Sequence, residues 1–562
     1  MTWKNEYYEL TRQLYDALLV SEYSSGAYDA ARAAIDEVIN NAKAPDEKLN
    51  AYTHRIMCLM SETSEYGKGA EIGLEILSKY GIDIPLCPTK TVMAKEEMKY
   101  KVALRNRSIS CLTTFPIKDD PLLTLCQQLN ICAMYSGKSD VVKLLVWKII
   151  QYVLKRGSIS SNLAQILGIC ALMYVKLNNV KKSNEFATTA QALSLRIRDD
   201  KENCVQATMV VCYAMCLLQP LRSLTGPFLQ AHKDFKLMGD VENSLNGLNG
   251  YAQCFFGAGC ELGPIFESKL LVVEEYCRNH GRKSSLILFS MYRQFALNLR
   301  KPSTSSNPSE LVGEAFNEEE VLSELEGSAH SQTLRDSSSL RVQLAFVFWN
   351  EADMIDLLKI LETYDFQDQF ASRLHNRLVF TGLAAFAICH KKGYASYTAL
   401  GEKCLEHFKK SGSVNARPVY LFLKSMKSPS RDAFRKAIEA CAKGNFVNLE
   451  AMVNERYAAF LREEKDVAAS NECIANAYFL YQDWGAHAKA LQLSKDHDFL
   501  KKAKRKRARS FVNTIGSNHK IASRTVSNTS HDATSQSQNA TSFSFNSTLK
   551  QRKILRLSFG GK

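Results

Sequence analysis

The sequence predicts an all-α protein, a tetratricopeptide-like α-solenoid of helical hairpins followed by a disordered C-terminal tail. Three observations carry this. Apolar residues recur at helical spacing in segment after segment, prolines fall between those segments, and continuous alternating strand patterns are missing. An expected boundary scheme follows: a first helical array over 1–298, a Ser/Pro-rich and acidic insertion over 299–338, a second array over 339–500 and a tail over 501–562.

The first array opens with the clearest period. In residues 28–39 (YDAARAAIDEVI), Ala31, Ile35 and Val38 follow the i, i+4, i+7 stripe of an amphipathic helix. Ala70, Leu74 and Leu77 repeat the same offsets 39 residues later, as stacked helix hairpins would. Gly26, Tyr28 and Ala31 have the small–aromatic–small order that starts the second helix of a tetratricopeptide unit. All twelve prolines are expected outside helices, because an interior proline costs about 3 kcal/mol. The pairs Asn246–Gly247 and Asn249–Gly250 resemble hairpin turns, but their flanks do not alternate. Gly247, Gly250 and Cys254 instead share one helical face, so a helix is expected. The apolar run 204–218 (CVQATMVVCYAMCLL) is shorter than the ~18–20 residues of a membrane span and reads as a buried helix.

Beyond residue 298, RKPSTSSNPS, FNEEEVLSELEG and SAHSQTLRDSSS break the pattern and predict a flexible or partly helical insertion. Helical pattern resumes near Leu340 and runs to about Leu500. From Lys501 the chain turns basic (KKAKRKRARS) and then becomes a Ser/Thr/Asn/Gln tract. That tract has too little apolar surface to offset its ordering entropy.

Charge follows the same division. The 562-residue chain carries a formal +14, yet residues 501–562 hold 14 of its 72 Lys and Arg against a single acid, Asp532. The body is therefore close to neutral, which excludes a basic globular nucleic-acid binder. The N-terminus (MTWKNEYYEL) has no secretory h-region, and the sixteen scattered cysteines form no C-x-x-C pair. They read as reduced, buried small hydrophobes of a cytoplasmic or nuclear protein.

Catalytic chemistry is not legible. Gly137-Lys138-Ser139 ends like a P-loop, but position 132, where the first glycine belongs, is Cys, and a helix rather than a strand precedes it. A helix-to-helix turn is expected there. Gly257, Gly259 and Gly263 miss dinucleotide-loop spacing and read as a helix end before Pro264. Cys389, His390, Cys404 and His407 are four metal-ligand types on neighbouring segments. However, the adjacent pair would point about 100° apart on a helix, so ordinary packing is expected. No nucleophile elbow, zinc-protease or kinase motif occurs, so the sequence assigns no catalytic, cofactor or metal residue.

The tail carries the sharpest local signal. Lys501, Lys502, Lys504, Arg505, Lys506, Arg507 and Arg509 crowd into nine residues and predict contact with a nuclear-import receptor or a polyanion. No aromatic is interleaved to stack on bases, so nucleic-acid binding there would be non-specific. Ser510 follows Arg505-x-Arg507-x-x like a basophilic kinase target, and a phosphate would add about −1.5 to −2 charge beside the cluster.

Residues 14–85 and 454–493 together resemble the helical repeat region of large multidomain signalling proteins. In those proteins a kinase-like domain and a STAND-type predicted ATPase precede the helices, and sensor or histidine-kinase domains often follow. The ending Tyr478…Tyr481…Trp484-Gly485-Ala486…Ala488-Lys489 is its most specific part. The resemblance spans about 1–497 and implies an arm that senses or docks partners. It transfers no catalytic residue, since the family's chemistry lies in domains outside this chain. The expected function is therefore a non-enzymatic protein-interaction scaffold in signalling, binding protein or peptide partners on the concave face. Two other readings stand beside it: the helical part of a larger ATP-dependent kinase or ATPase, and a nuclear or RNA-associated adaptor acting through the tail.

Overall fold

The computed structural model describes residues 3–63, 65–105, 107–177, 179–302, 307–364 and 371–500. Those residues form an all-α solenoid; the extended pairings among them are two isolated bridges, Ile117 with Ile159 and Val312 with Asn317. Residues Met1–Asp498 make one compact unit, and the second unit, Phe499–Lys562, is described only at its first two residues.

The helices are α1 (Tyr8–Ser25), α2 (Tyr28–Asn41), α3 (Leu49–Cys58), α4 (Tyr66–Lys79), α5 (Lys90–Leu104), α6 (Pro121–Tyr135), α7 (Ser139–Arg156) and α8 (Asn162–Lys176). Next come α9 (Val180–Arg196), α10 (Lys201–Met215), α11 (Leu221–Leu237), α12 (Val241–Gly257), α13 (Pro264–Asn279) and α14 (Lys283–Arg300). The remainder are α15 (Glu318–Glu324), α16 (Gly327–Phe348), α17 (Glu351–Leu361), α18 (Ala371–Ile388), α19 (Tyr397–Lys410), α20 (Ala416–Lys427), α21 (Arg431–Lys443), α22 (Val447–Glu463), α23 (Val467–Trp484) and α24 (His487–Asp496). Most sequential helices pair as hairpins (α5 packs instead on α7), and every second helix from α6 to α20 also packs on the next such helix. That layering defines a solenoid, in which each unit buries its apolar face on its neighbours.

The expected stripes are the buried ones. Ala31, Ile35 and Val38 are fully buried on α2, and Ala70 and Leu77 on α4. Gly26 ends α1 in the left-handed conformation (φ 82°), which lets Ala27 N–H bond back to Glu22 and α2 start one residue later. The two Asn-Gly pairs lie inside α12. A Cβ at Gly250 would come within 2.4 Å of the Phe228 ring, so the bare glycine is what lets α11 and α12 approach this closely. The 204–218 run forms most of α10 and is buried, and no helix among the described residues is long and apolar enough to cross a membrane.

Three expectations need correction. Pro227 lies inside α11. Its ring is exposed, so the carbonyl it leaves unbonded faces solvent rather than the core. Pro121 and Pro264 start α6 and α13, where a missing N–H costs no hydrogen bond, and Pro418 sits in the first turn of α20 for the same reason. The stretch 307–338 is partly helical, as one of the two readings had it, through α15 and the start of α16, but it is packed rather than a flexible linker. Leu311 is buried against the solenoid, Asn298 donates to the carbonyls of Pro308 (3.0 Å) and Glu310 (2.6 Å), and Ser309 donates to Asp353 (2.6 Å). The Ser-rich segment forms the first half of α16, where Ser337 and Ser338 are small enough to be buried at a helix interface. Finally, the two arrays are not separate units. Asn415 donates to the carbonyls of Cys216 and Gln219, both at 2.8 Å, and Leu262 N–H donates to Trp484 at 2.7 Å.

Candidate functional site

A groove of about 880 Å³ opens in the first half of the chain. Its floor comes from α6, α8, α10 and α12, each presenting one helical face. Thr124, Gln127 and Ile131 face it from α6, and Gln165, Ile169 and Leu172 from α8. Asn203, Gln206 and Val210 follow on α10, and Asn243, Asn246 and Asn249 on α12. The spacing of three or four residues on each helix is why one face stays on the groove throughout. The rim is aromatic, with Tyr23, Tyr28, Tyr66 and Tyr135, and a π-helical turn over Leu59–Thr63 at the end of α3 brings Met60 and Ser61 to it. Burial pushes the Tyr23 and Tyr66 hydroxyls up to about 12, so both stay neutral donors.

The groove's polar groups are the starts of its helices. Asp120, Asp200 and Asp240 cap α6, α10 and α12, each accepting a hydrogen bond from a backbone N–H of the first turn. On α10, Asn203 donates from its backbone to Asp200 (3.2 Å) and back from its side chain (2.9 Å). On α12, Asn243 does the same to Asp240 at 3.0 and 2.7 Å. The unit Asp-x-Glu-Asn thus recurs 40 residues apart, at 200–203 and 240–243. Amides tie the helices together below it. Gln127 donates to Gln206 (3.0 Å), Asn162 donates to Gln127 and to Asn203 (3.3 Å), and Gln206 donates to Glu202 (3.1 Å).

Charge in the groove is one-sided. Six carboxylates line it (Asp119, Asp120, Asp200, Glu202, Asp240 and Glu242), and Arg282 is the single Lys or Arg among the lining residues. Water still reaches Glu202 and Glu242, but the walls crowd them. Desolvation raises both carboxyls above their ordinary value; Asp240 raises both further, and Arg282 acts the other way on Glu242. Burial also works against charge at Asp200, yet hydrogen bonds from Ser161 and Asn203 hold its carboxyl below the usual range. Gln165 is 6% exposed, and its Oε1 has no hydrogen-bond partner.

The residues singled out earlier lie elsewhere. Gly137 is in the left-handed conformation (φ 75°) at the turn between α6 and α7, and Gly259 (φ 58°) follows the end of α12. Cys404 is buried on α19 against Gly382, Cys389 donates to the Phe386 carbonyl, and His407 meets the Phe408 ring edge-on. Among the described residues no three His, Cys, Asp or Glu side chains gather as a metal site. Lys501, Lys502, Lys504, Arg505, Lys506, Arg507, Arg509 and Ser510 lie outside the described residues. Sequence reasoning placed binding on the concave face but named none of its residues. The repeated Asp-x-Glu-Asn was the available signal.

No protein-family model matches the chain, and none of the curated proteins is significantly similar to it.

Proposed function

We propose that this protein is a non-enzymatic docking scaffold whose groove over α6, α8, α10 and α12 binds an extended segment of a partner protein. The observation that carries it is the row of amides from four alternate helices along one open face. Such amides both donate and accept, as a peptide backbone does. Among the described residues that line the groove no nucleophile is hydrogen-bonded to a base, and its amides support a binding role. A role in signalling stays a proposal that rests on the resemblance to the helical arms of signalling ATPases.

A photo-activated cross-linker placed at Asn246, on the groove floor, tests this in cells against one at Glu439, on an exposed face of α21. Discrete protein adducts from 246 and not from 439 are expected. Equal labelling from both positions would remove the groove from consideration.

A further inference from the structure

We infer that the groove selects Lys/Arg-rich segments, their cations facing the wall built by Asp200, Glu202, Asp240 and Glu242. This rests on the docking reading above and adds the chemistry of the occupant. The first ground is charge: six carboxylates line the groove, Asp120 among them being paired with Arg156, and Arg282 is the one guanidinium among the lining residues, in a chain whose first 500 residues are otherwise close to neutral. Glu242 makes no direct hydrogen bond or ion pair among the described residues, and Arg282 is the one cation acting on it, so a ligand cation would add a direct partner.

The second ground is independent of charge. Gln165 Oε1 is shielded from solvent on the groove floor and accepts nothing, and a buried acceptor left unmatched is costly. A ligand that brings an N–H donor satisfies it, and a purely apolar ligand does not. The third ground is shape. Helices packed about 8–10 Å apart put α6 and α12 some 25–30 Å from each other, which an extended chain covers in ~8 residues. Gln127 and Gln206, each with one donor and one acceptor site already used within the groove, keep a second N–H and a second lone pair that can meet peptide carbonyls and N–H groups. A simple polyamine has no carbonyl to offer them. The rim tyrosines Tyr23, Tyr28 and Tyr66 add faces for cationic side chains.

The test uses the full chain and a labelled eight-residue peptide of alternating Arg and Ala, read by fluorescence anisotropy. An otherwise identical Glu/Ala peptide is the comparison probe, and spermine is a competitor. We expect the basic peptide to bind at least 10-fold tighter than the acidic one, and to weaken as salt rises from 50 to 500 mM. Glu202→Gln with Glu242→Gln should weaken it at least 10-fold, and Gln165→Met about 3-fold. The control pair Glu439→Gln with Glu472→Gln, on exposed positions of α21 and α23, should leave it unchanged. Circular dichroism confirms that each variant is folded, and the salt series on the unaltered chain needs no variant. The inference is overturned if the basic peptide does not bind, if the control pair weakens it equally, or if spermine displaces it at equal affinity. It is overturned as well if neutralising the seven Lys and Arg of 501–509 strengthens binding 10-fold, which would give the groove to the chain's own tail. Tighter binding of the acidic probe, lost on cross-linking at Asn246, would overturn the basic preference and leave the docking reading standing.

Discussion

The groove over α6–α12 and the closed end over α22–α24 use the same polar residue types to opposite effect. At the closed end, Glu455 is buried and every need of its carboxylate is met. Tyr481 Oη donates at 2.7 Å, Lys489 Nζ lies at 2.8 Å and the Arg456 guanidinium at 2.7 Å. Burial alone would raise the Glu455 carboxyl, but Lys489 and Arg456 hold it below its ordinary value. Arg456 also lies 3.6 Å from the centroid of Trp349, which joins α22 to the end of α16. In the groove, Glu242 has no such partner and Gln165 keeps an unmatched acceptor. The difference teaches where to look for binding in a repeat protein. Polar groups that satisfy one another hold helices together, as Gln127, Asn162, Asn203 and Gln206 also do in the groove, whereas the few left over on an open face, such as Gln165 Oε1, are available to a ligand.

Removing a partner from the closed end breaks the comparison most sharply. Lys489→Ala should destabilise the chain by about 3 to 5 kcal/mol, because it leaves part of a buried carboxylate uncompensated. Denaturant titration reads this, and adding Glu455→Gln should recover a large part of the loss. If Lys489→Ala costs no more than a surface substitution, the cluster is not holding that end.

An acid titration gives the next largest effect. His375 on α18 is buried beside Phe408. Burial pulls its imidazole down to about 4 from 6.5, and His407 adds to the shift. The unfolded chain therefore binds a proton between those values while the folded one does not. Stability should rise with pH through that window and fall by about 3 kcal/mol from pH 6.5 to 4, with no further contribution below both values. His375→Phe should flatten that part of the profile; an unchanged profile would show that the ring is not held neutral.

Gly250→Ala is a smaller perturbation at the α11–α12 contact behind Asn249. Its Cβ would press on Phe228, so α11 and α12 must separate, and a cost of about 1 to 3 kcal/mol is expected in thermal or chemical melts. Glu242→Gln should have the smallest effect, and of the opposite sign. A carboxyl raised on folding destabilises the charged form, so removing that charge leaves stability unchanged or slightly higher at neutral pH. A loss as large as that for Lys489→Ala would mean Glu242 serves the fold and not a ligand.

Much of this was legible in the sequence. The stripe Ala31–Ile35–Val38 and its copy at 70–77 located the buried faces, because helical period survives in any well-packed amphipathic helix. The glycines of α12 were readable as packing residues, since they share a helical face with Cys254. The Ser-rich start of α16 was not, because serine favours loops unless its hydroxyl is taken up within the helix, as Ser331, Ser337 and Ser339 do by donating to the carbonyls of Gly327, Leu334 and Arg335. Pro227 was hidden for a related reason: whether a missing N–H matters depends on which way that turn faces. The groove escaped because its amides and carboxylates are scattered over 130 residues and resemble ordinary helix caps one at a time. Only the 40-residue recurrence of Asp-x-Glu-Asn links them, and its importance depends on α10 and α12 facing the same opening.

Amide hydrogen exchange on the full chain, with and without the Arg/Ala peptide, tests the contrast between the two regions most directly. We expect added protection in the first turns of α10 and α12, from Asp200 to Gln206 and from Asp240 to Asn246, and none in α22–α24. Protection confined to α22–α24, or no change anywhere, would contradict it.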